Sequence, residues 1–324
     1  MQVLTYPRAQ LGRLPGGASL VLDWPAVFEI EGPGAVTCIQ GLLTNDVVRP
    51  GAGSLISGAL LTPKGMIVVD CWTIRSGDGF VMLADGGSAA ALRGLLTRQL
   101  PPRLARVTDR TGQWSAAWLI GSGSVDIAAA VLGTLPDPGR AEAIPGGDES
   151  GLVARGTERS PFTLMLVGPT TGVESIVDRL HQAGARAGDA ADLRAARVLA
   201  GVPTLGAEID ASTLPQEAGL DALEGVSYTK GCYVGQETVA RVHFRGHPNW
   251  LLRGAAISRA DAVPGGEVHR DGKVVATLGT VLKFEDGSGL GLASVRREID
   301  IGETLPEADT TVRVLALPLN VGSL

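Results

Sequence analysis

Cys232 lies in a short polar stretch whose residue types and spacing could support thiol chemistry. Lys230 stands two residues before it, Gly231 and Gly235 flank it, and a helix-forming run follows at residues 236–241. Glycine lets a backbone approach a ligand closely, and the free N–H groups of a helix start favour an anion, as does a nearby ammonium. The usual alternative is a small buried core cysteine, but these polar neighbours are poor core composition. We therefore predict a reactive thiolate, with catalytic roles for Cys232 and Lys230.

The octapeptide Lys-Gly-Cys-Tyr-Val-Gly-Gln-Glu, residues 230–237, resembles the signature of the YgfZ family. Members of that family are folate-binding proteins similar in fold to the T-protein, the aminomethyltransferase of the glycine cleavage system. The resemblance implies a tetrahydrofolate-linked role in assembling or repairing iron–sulfur enzymes and, through those enzymes, in tRNA modification. It also implies that Tyr233, Gln236 and Glu237 contact the cofactor, which would be tetrahydrofolate or a one-carbon-substituted folate.

Trp24 and Glu208 are further ligand contacts that the resemblance implies. Trp24 lies in an Asp-Trp-x-x-x-x-x-Ile sequence, where the family has an aromatic residue associated with the folate pocket, and indole stacks well on a flat pterin. Glu208 lies in Gly-Ala-Glu-Ile-Asp, where T-protein relatives supply a carboxylate that can accept two hydrogen bonds from the pterin. Composition alone would make Trp24 a packing residue and Glu208 a surface carboxylate. We expect Arg197 to pair with Glu208 or with a ligand carboxylate.

The chain departs from T-protein relatives at Asp70. Those relatives carry a paired Asp-Asp after a Gly-Gly-Ile turn, one of which is the catalytic acid or base, whereas Val69 stands at the first position here. Asp70 is then either a cofactor-binding carboxyl or a satisfied structural group. The loss counts against aminomethyl transfer by the glycine-cleavage mechanism, and YgfZ-type proteins commonly share it.

Composition and charge restrict the class of protein. The 324 residues are 44% hydrophobic and 19% charged, which is typical of a folded chain of two or three domains. The formal net charge of −6 argues against a broad nucleic-acid-binding surface, which would need a basic excess. The N-terminal residues lack a signal-peptide core and no apolar run is long enough to span a membrane. We expect a cytoplasmic protein with no membrane and no direct nucleic-acid partner.

Cysteine and histidine patterns give no support for a metal site. Cys38, Cys71 and Cys232 are far apart and form no Cys-x-x-Cys pair, so we predict reduced thiols without a resident cluster. Arginine and histidine alternate at residues 241–247, where the arginines disfavour a metal. That stretch is better explained as a basic rim for the anionic tail of a folate, or for a partner.

The hydrophobic pattern predicts an α+β fold with antiparallel sheets, and no dinucleotide or Walker motif occurs. Strands at 55–61, 66–75 and 79–84 should form a meander. Helices are predicted at 35–43, 86–100, 125–132, 171–183 and 190–200, and an exposed loop at 136–150. Five or six short strands after residue 250 predict a small closed β-barrel. We therefore expect a T-protein-like folate-binding region of two α+β subdomains at residues 1–245, and a C-terminal β-barrel domain at residues 246–324.

Three functions fit these features. The leading hypothesis is a tetrahydrofolate-binding factor that supports iron–sulfur enzymes, with folate and those enzymes or cluster-assembly proteins as partners. The second is a tetrahydrofolate-dependent aminomethyl or one-carbon transferase that uses Asp70 or Glu208 as a base. The third is a thiol-redox or docking module with a vestigial folate pocket.

Overall fold

The computed structural model describes residues 1–145 and 151–320, which form seven α-helices and eighteen strands in three sheets. This α+β architecture is the predicted fold class. The helices are α1 (Arg8–Arg13), α2 (Ala35–Gln40), α3 (Ala89–Gln99), α4 (Ser124–Leu132), α5 (Thr170–Gln182), α6 (Ala190–Ala200) and α7 (Gln236–Arg245). The strands are β1 (Gln2–Thr5), β2 (Ser19–Asp23), β3 (Ala26–Glu31), β4 (Ser54–Leu61), β5 (Ile67–Ser76), β6 (Gly79–Ala84), β7 (Arg106–Asp109), β8 (Trp114–Ile120), β9 (Ala141–Ala143), β10 (Leu152–Arg155), β11 (Leu164–Pro169), β12 (Arg186–Ala187), β13 (Trp250–Ile257), β14 (Glu267–Arg270), β15 (Lys273–Lys283), β16 (Gly289–Arg296), β17 (Thr304–Glu307) and β18 (Thr310–Leu315).

The first sheet contains the predicted meander. Its order is β4-β5-β6-β3-β7, and every neighbouring pair is antiparallel. Burial alternates along β5, where Val69 and Cys71 enter the core formed with α2 and α3. Because successive side chains of a strand point to opposite faces, Asp70 and Trp72 lie together on the other face.

The second sheet has the order β12-β2-β8-β11-β10-β9 and is covered by helices on both faces. Helices α4 and α5 pack on one face, and the apolar side of α6 packs on the other. The predicted bounds of α6 are confirmed, because Asp189 caps its start by accepting hydrogen bonds from the Ala191 and Asp192 N–H groups. The helix ends at Gly201, whose φ of +72° is a left-handed conformation that glycine adopts without strain.

The predicted loop at residues 136–150 is wrong in part. Ala141–Ala143 form β9, which pairs antiparallel with β10 at the edge of the second sheet. Only Ala141 of this strand is buried, so three residues with one apolar side chain inward carry too little alternation to predict a strand. Residues 146–150 of the predicted loop lie outside the described residues.

The third sheet gathers the C-terminal strands and joins both ends of the chain. Its order is β1-β15-β16-β13-β18-β17, and β14 also pairs with β15. Strands β14 and β1 follow one another along the long strand β15, β14 antiparallel and β1 parallel. Strands β1 and β17 were too short to predict from the sequence. Closure of this sheet into a barrel stays a prediction, as does the division of the chain into residues 1–245 and 246–324.

Candidate functional site

The segment at residues 228–235, called the thiol loop below, presents Cys232 directly before α7. It ends at Gly235, whose φ is +83°. A Cβ at this position would lie 2.6 Å from the Thr62 carbonyl oxygen and 3.0 Å from Gly65 Cα. Only glycine fits where the loop crosses the β4–β5 turn, and the predicted helix start just after the thiol is confirmed.

Cys232 and Lys230 are oriented differently in this loop. Cys232 is exposed, whereas Lys230 is buried and its Nζ donates to the carbonyl oxygens of Leu43, at 2.7 Å, and Asn45, at 2.8 Å. Burial lowers the pKa of Lys230 to about 8, an effect that the charge of Asp46 partly opposes. Within the described residues, no hydrogen bond joins Lys230 to the thiol. The ammonium therefore fixes the loop to the protein, and Cys232 stands free on it.

The turn at Thr44 and Asn45 forms the platform beneath the thiol loop. Thr44 Oγ1 donates to the Gly225 carbonyl oxygen at 2.7 Å. Asn45 Nδ2 donates to the carbonyl oxygens of Ser57 at 2.9 Å and Glu224 at 2.7 Å. These bonds link the first sheet to the segment that leads into the thiol loop, so the exposed thiol is held on a well-braced support.

A separate cleft lies between the first sheet, the second sheet and α6. Its wall includes Asp70 and Trp72 of β5, Trp118 of β8, and Leu193 and Arg197 of α6. The cleft has a volume of about 170 Å³, below the roughly 300–1,000 Å³ of most small-molecule sites. As it stands, it has room for one ring system rather than for a whole drug-sized ligand.

The polar groups of the cleft are only partly satisfied. Arg197 Nη2 lies 3.4 Å from Asp70 Oδ2 and also donates to the Pro203 carbonyl oxygen. Arg197 Nε and Trp118 Nε1 are buried and have no hydrogen-bond partner in the described part of the chain. Because a buried N–H without a partner costs about 1–3 kcal/mol, two of them beside one cavity point to a ligand that brings hydrogen-bond acceptors.

Glu208 has a structural position beside this cleft. One carboxylate oxygen accepts from the Thr204 N–H at 2.8 Å, and the other accepts from the Thr280 N–H of β15. A Cβ at Gly279 would lie 2.3 Å from Glu208 Oε1, so glycine is required there. Glu208 thus ties the segment after α6 to the third sheet, and Arg197 pairs with Asp70 rather than with Glu208.

The other predicted contacts fall into two places. Trp24 is 52% exposed, and its neighbours Asp23 and Pro25 line the cleft, which puts its indole at the rim. Tyr233 is buried among apolar residues, and burial raises its pKa to about 12.

Gln236 and Glu237 lie with the thiol loop at the start of α7 and do not line the cleft. Gln236 Oε1 accepts from the Tyr233 N–H at 3.3 Å, and Glu237 is exposed. The structure therefore brings Asp70, Arg197 and Trp24 together and keeps the motif residues 230–237 apart from them.

Sequence reasoning missed two aromatic residues of the cleft, Trp72 and Trp118. Each ring centroid lies 5.0 Å from that of Phe162, so the three form one aromatic wall. Trp72 could have been found, because it stands two residues after Asp70 on a predicted strand and must share its face. Trp118 carried no such signal, since its neighbours on β8 are buried on both faces.

Two searches of the described residues, 1–145 and 151–320, gave negative results. No cluster of three or more His, Cys, Asp or Glu side chains could hold a metal ion. No helix there combines the length and the apolar character needed to cross a bilayer.

Comparison with solved structures defines the class of protein. The aminomethyltransferase T of the glycine cleavage system from Bartonella henselae superimposes with a TM-score of 0.81, covering 97% of this chain and 90% of that one at 18% identity. The family described as the GCVT N-terminal domain matches residues 25–138. The chain therefore has the glycine cleavage T-protein fold.

Curated relatives then narrow the class to a family. A protein of Cronobacter sakazakii named tRNA-modifying protein YgfZ is 28% identical over 304 residues, 91% of this chain and 89% of its own length. The protein of that name from Serratia proteamaculans is 30% identical over 235 residues, 69% of this chain and 66% of its own length. The chain belongs to the YgfZ family, as the motif at residues 230–237 predicted.

Proposed function

We propose that the protein binds tetrahydrofolate, or a one-carbon-substituted form of it, in the cleft. The observation that carries this proposal is the pair of unpartnered N–H groups, Arg197 Nε and Trp118 Nε1, beside the Asp70 carboxylate. A pterin presents carbonyl and ring-nitrogen acceptors as well as N–H donors on its edges, so it complements both kinds of group. Trp72 adds an aromatic surface for the ring.

The size of the cleft suggests how such a ligand would be divided. A volume of about 170 Å³ suits the bicyclic pterin, and the remainder of the molecule would lie outside it. The exposed indole of Trp24 at the rim is then available to pack against the aminobenzoyl ring. Glu208, whose oxygens already accept two backbone hydrogen bonds, would support the site by holding the segment after α6.

We further propose that the folate-bound protein supports the assembly or repair of iron–sulfur enzymes in the cytoplasm, with Cys232 facing the partner. Its thiol is exposed, whereas Cys38 is only partly accessible and Cys71 is buried, which raises the pKa of Cys71 to about 12. Tyr233, Gln236 and Glu237 would shape the surface around that thiol. An effect on tRNA, the process in the relatives' name, would be indirect, because a net charge of −6 disfavours a broad RNA-binding surface.

A one-carbon transferase is the less favoured function. Asp70 is already paired with Arg197, an arrangement that suits the binding of a polar ligand better than the work of a general base. Glu208 is engaged at both oxygens by backbone N–H groups. Turnover of a one-carbon donor by the folate-saturated protein would reverse this preference.

Anaerobic titration with tetrahydrofolate, followed by tryptophan fluorescence and calorimetry, tests the binding site. Asp70→Asn should weaken binding about 10- to 100-fold, because a charge-assisted hydrogen bond contributes about 1.5–3 kcal/mol. Asp78→Asn is the matched control, since Asp78 is exposed on the turn after β5 and does not line the cleft. If the wild-type protein binds no tetrahydrofolate, or if both variants bind equally well, the site assignment is wrong.

Complementation tests the proposed role of the thiol. In a strain that lacks the gene, Cys232→Ala should fail to restore the activity of iron–sulfur enzymes, while Cys38→Ala should restore it. Tetrahydrofolate affinity should be the same in both variants, because neither cysteine lines the cleft. Full rescue by Cys232→Ala would refute a functional role for this thiol.

A further inference from the structure

A second cavity, called the tail cavity below, opens beyond the C-terminal end of α6. It has a volume of about 420 Å³, within the range of typical ligand sites. Its wall combines the end of α6, residues 216–223, the end of α7, the start of β13 and residues 316–318. Neither Asp70 nor Cys232 lines it, so it is distinct from both sites described above.

Helix α6 connects the tail cavity to the cleft. Leu193 and Arg197 line the cleft, and Gly201, at the end of the helix, lines the tail cavity. These residues are spaced by four, so they lie on one face of the helix, and one turn separates Arg197 from Gly201 by about 6 Å along the axis. A ligand that leaves the cleft along this face reaches the tail cavity within the length of a benzoyl group and an amide.

Arg253 supplies an unused cation in the wall of the tail cavity. Its side chain is half-buried, and its guanidinium makes no hydrogen bond or ion pair among the residues that the structure describes. Two carboxylates also line the cavity: Glu158 is exposed, and Asp221 accepts a hydrogen bond from the Tyr228 hydroxyl at 2.6 Å. Arg159 is a second, exposed cation, so the two arginines balance the two acids, and local pairing with Arg253 rather than net charge would attract an anion.

Gln216 supplies an unused acceptor in the same wall. The residue is 6% exposed, and its Nε2 donates to the Val239 carbonyl oxygen at 2.8 Å and lies 3.2 Å from the Tyr228 hydroxyl. The carbonyl can only accept, which fixes the orientation of the amide and leaves Oε1 as the group without a partner in the described chain. A ligand that satisfies Gln216 must therefore bring an N–H donor.

We propose that the tail cavity binds the γ-glutamyl tail of a polyglutamylated folate whose pterin occupies the cleft. This inference rests on the proposed folate-binding function. A γ-glutamyl chain alternates amide N–H groups with carboxylates, which are the partners that Gln216 Oε1 and the Arg253 guanidinium lack. Leu252 and Leu317 give the methylene groups of the chain an apolar surface. The protein thus selects polyglutamylated folates over the monoglutamate.

Calorimetry with the monoglutamate and pentaglutamate of 5-formyltetrahydrofolate tests this inference on the full chain. The wild-type protein should bind the pentaglutamate about tenfold more tightly, the gain expected from one charge-assisted hydrogen bond. Arg253→Met keeps the apolar stem of the side chain and should bring the ratio of the two affinities close to one. Arg259→Met is the control, because Arg259 is exposed and lies outside the tail cavity, and it should leave the ratio unchanged.

The outcomes separate this inference from the function on which it rests. Equal affinities of the wild-type protein for both ligands would overturn the tail site and leave the folate cleft standing. Retention of the tenfold preference by Arg253→Met would overturn the assignment to this cavity. Binding of neither ligand would overturn the folate function itself. His247→Ala, at an exposed rim position, should reduce the ratio partially and gives a second readout should Arg253→Met fail to fold.

Discussion

The buried ammonium of Lys230 should make the stability of the protein depend on pH in a way that one substitution removes. Lys230 donates to the carbonyl oxygens of Leu43 and Asn45 from a position that is 9% exposed. Lys230→Met keeps a side chain of similar length and apolar character but has no proton to lose. The difference in unfolding free energy between wild type and variant therefore isolates the titration of this one group.

The sign and size of the effect follow from the pKa of Lys230, which burial lowers from 10.5 to about 8. Between these two values the unfolded chain binds more protons than the folded protein, so the contribution of Lys230 to stability increases as the pH rises. The full shift corresponds to about 3 kcal/mol, and solvent screening of a group at the edge of the core reduces this to about 1–2 kcal/mol.

Urea denaturation at several pH values between 7 and 10, monitored by tryptophan fluorescence, measures the difference. The wild type should gain about 1–2 kcal/mol relative to Lys230→Met across this range. Ionisation of tyrosines affects both proteins and cancels in the comparison. Lys64→Met, which removes an exposed lysine, should show no such trend. A constant difference between wild type and Lys230→Met would show that Lys230 stays charged in the folded protein and that the reasoning from burial is wrong.

Three further substitutions test other parts of the site. Glu208→Gln should lower the unfolding free energy by about 1–3 kcal/mol in urea denaturation, because an amide N–H would face one of the two backbone donors. Gly235→Ala should lower it by about 2–4 kcal/mol, since its φ of +83° and its contact with the Thr62 carbonyl oxygen both exclude a Cβ. Trp118→Phe should weaken tetrahydrofolate binding about fivefold in calorimetric titration while leaving stability unchanged or slightly raised, because it removes a buried N–H that has no partner.

Matched controls make these three predictions specific. Glu237 is exposed, so Glu237→Gln should leave stability nearly unchanged, and an equal loss in both glutamates would contradict the role given to Glu208. No atom lies within 4 Å of a Cβ built at Gly231, so Gly231→Ala should be tolerated in the same loop that rejects Gly235→Ala. Trp250 does not line the cleft, and a loss of folate affinity in Trp250→Phe comparable to that in Trp118→Phe would remove the case for the indole N–H.

Local chemistry was sufficient to predict several elements of this fold. The bounds of α6 followed from a capping aspartate before residue 190 and a glycine after residue 200. The meander followed from alternating burial between turn residues, and the helix start after Gly235 followed from glycine and a helix-forming run. Short strands such as β1, β9 and β17 escaped, because two to four residues carry too little periodicity.

The sequence by itself determined the family, through an octapeptide at residues 230–237, and the position of a thiol before a helix. Only the tertiary structure decided which partners the polar groups meet. Arg197 pairs with Asp70, 127 positions away, Lys230 binds two carbonyl groups of the turn after α2, and Glu208 holds a strand of the third sheet. Spacing along the chain cannot supply such pairings, because they arise where separate sheets and helices pack against one another. There, burial makes each hydrogen bond costly to leave unmade.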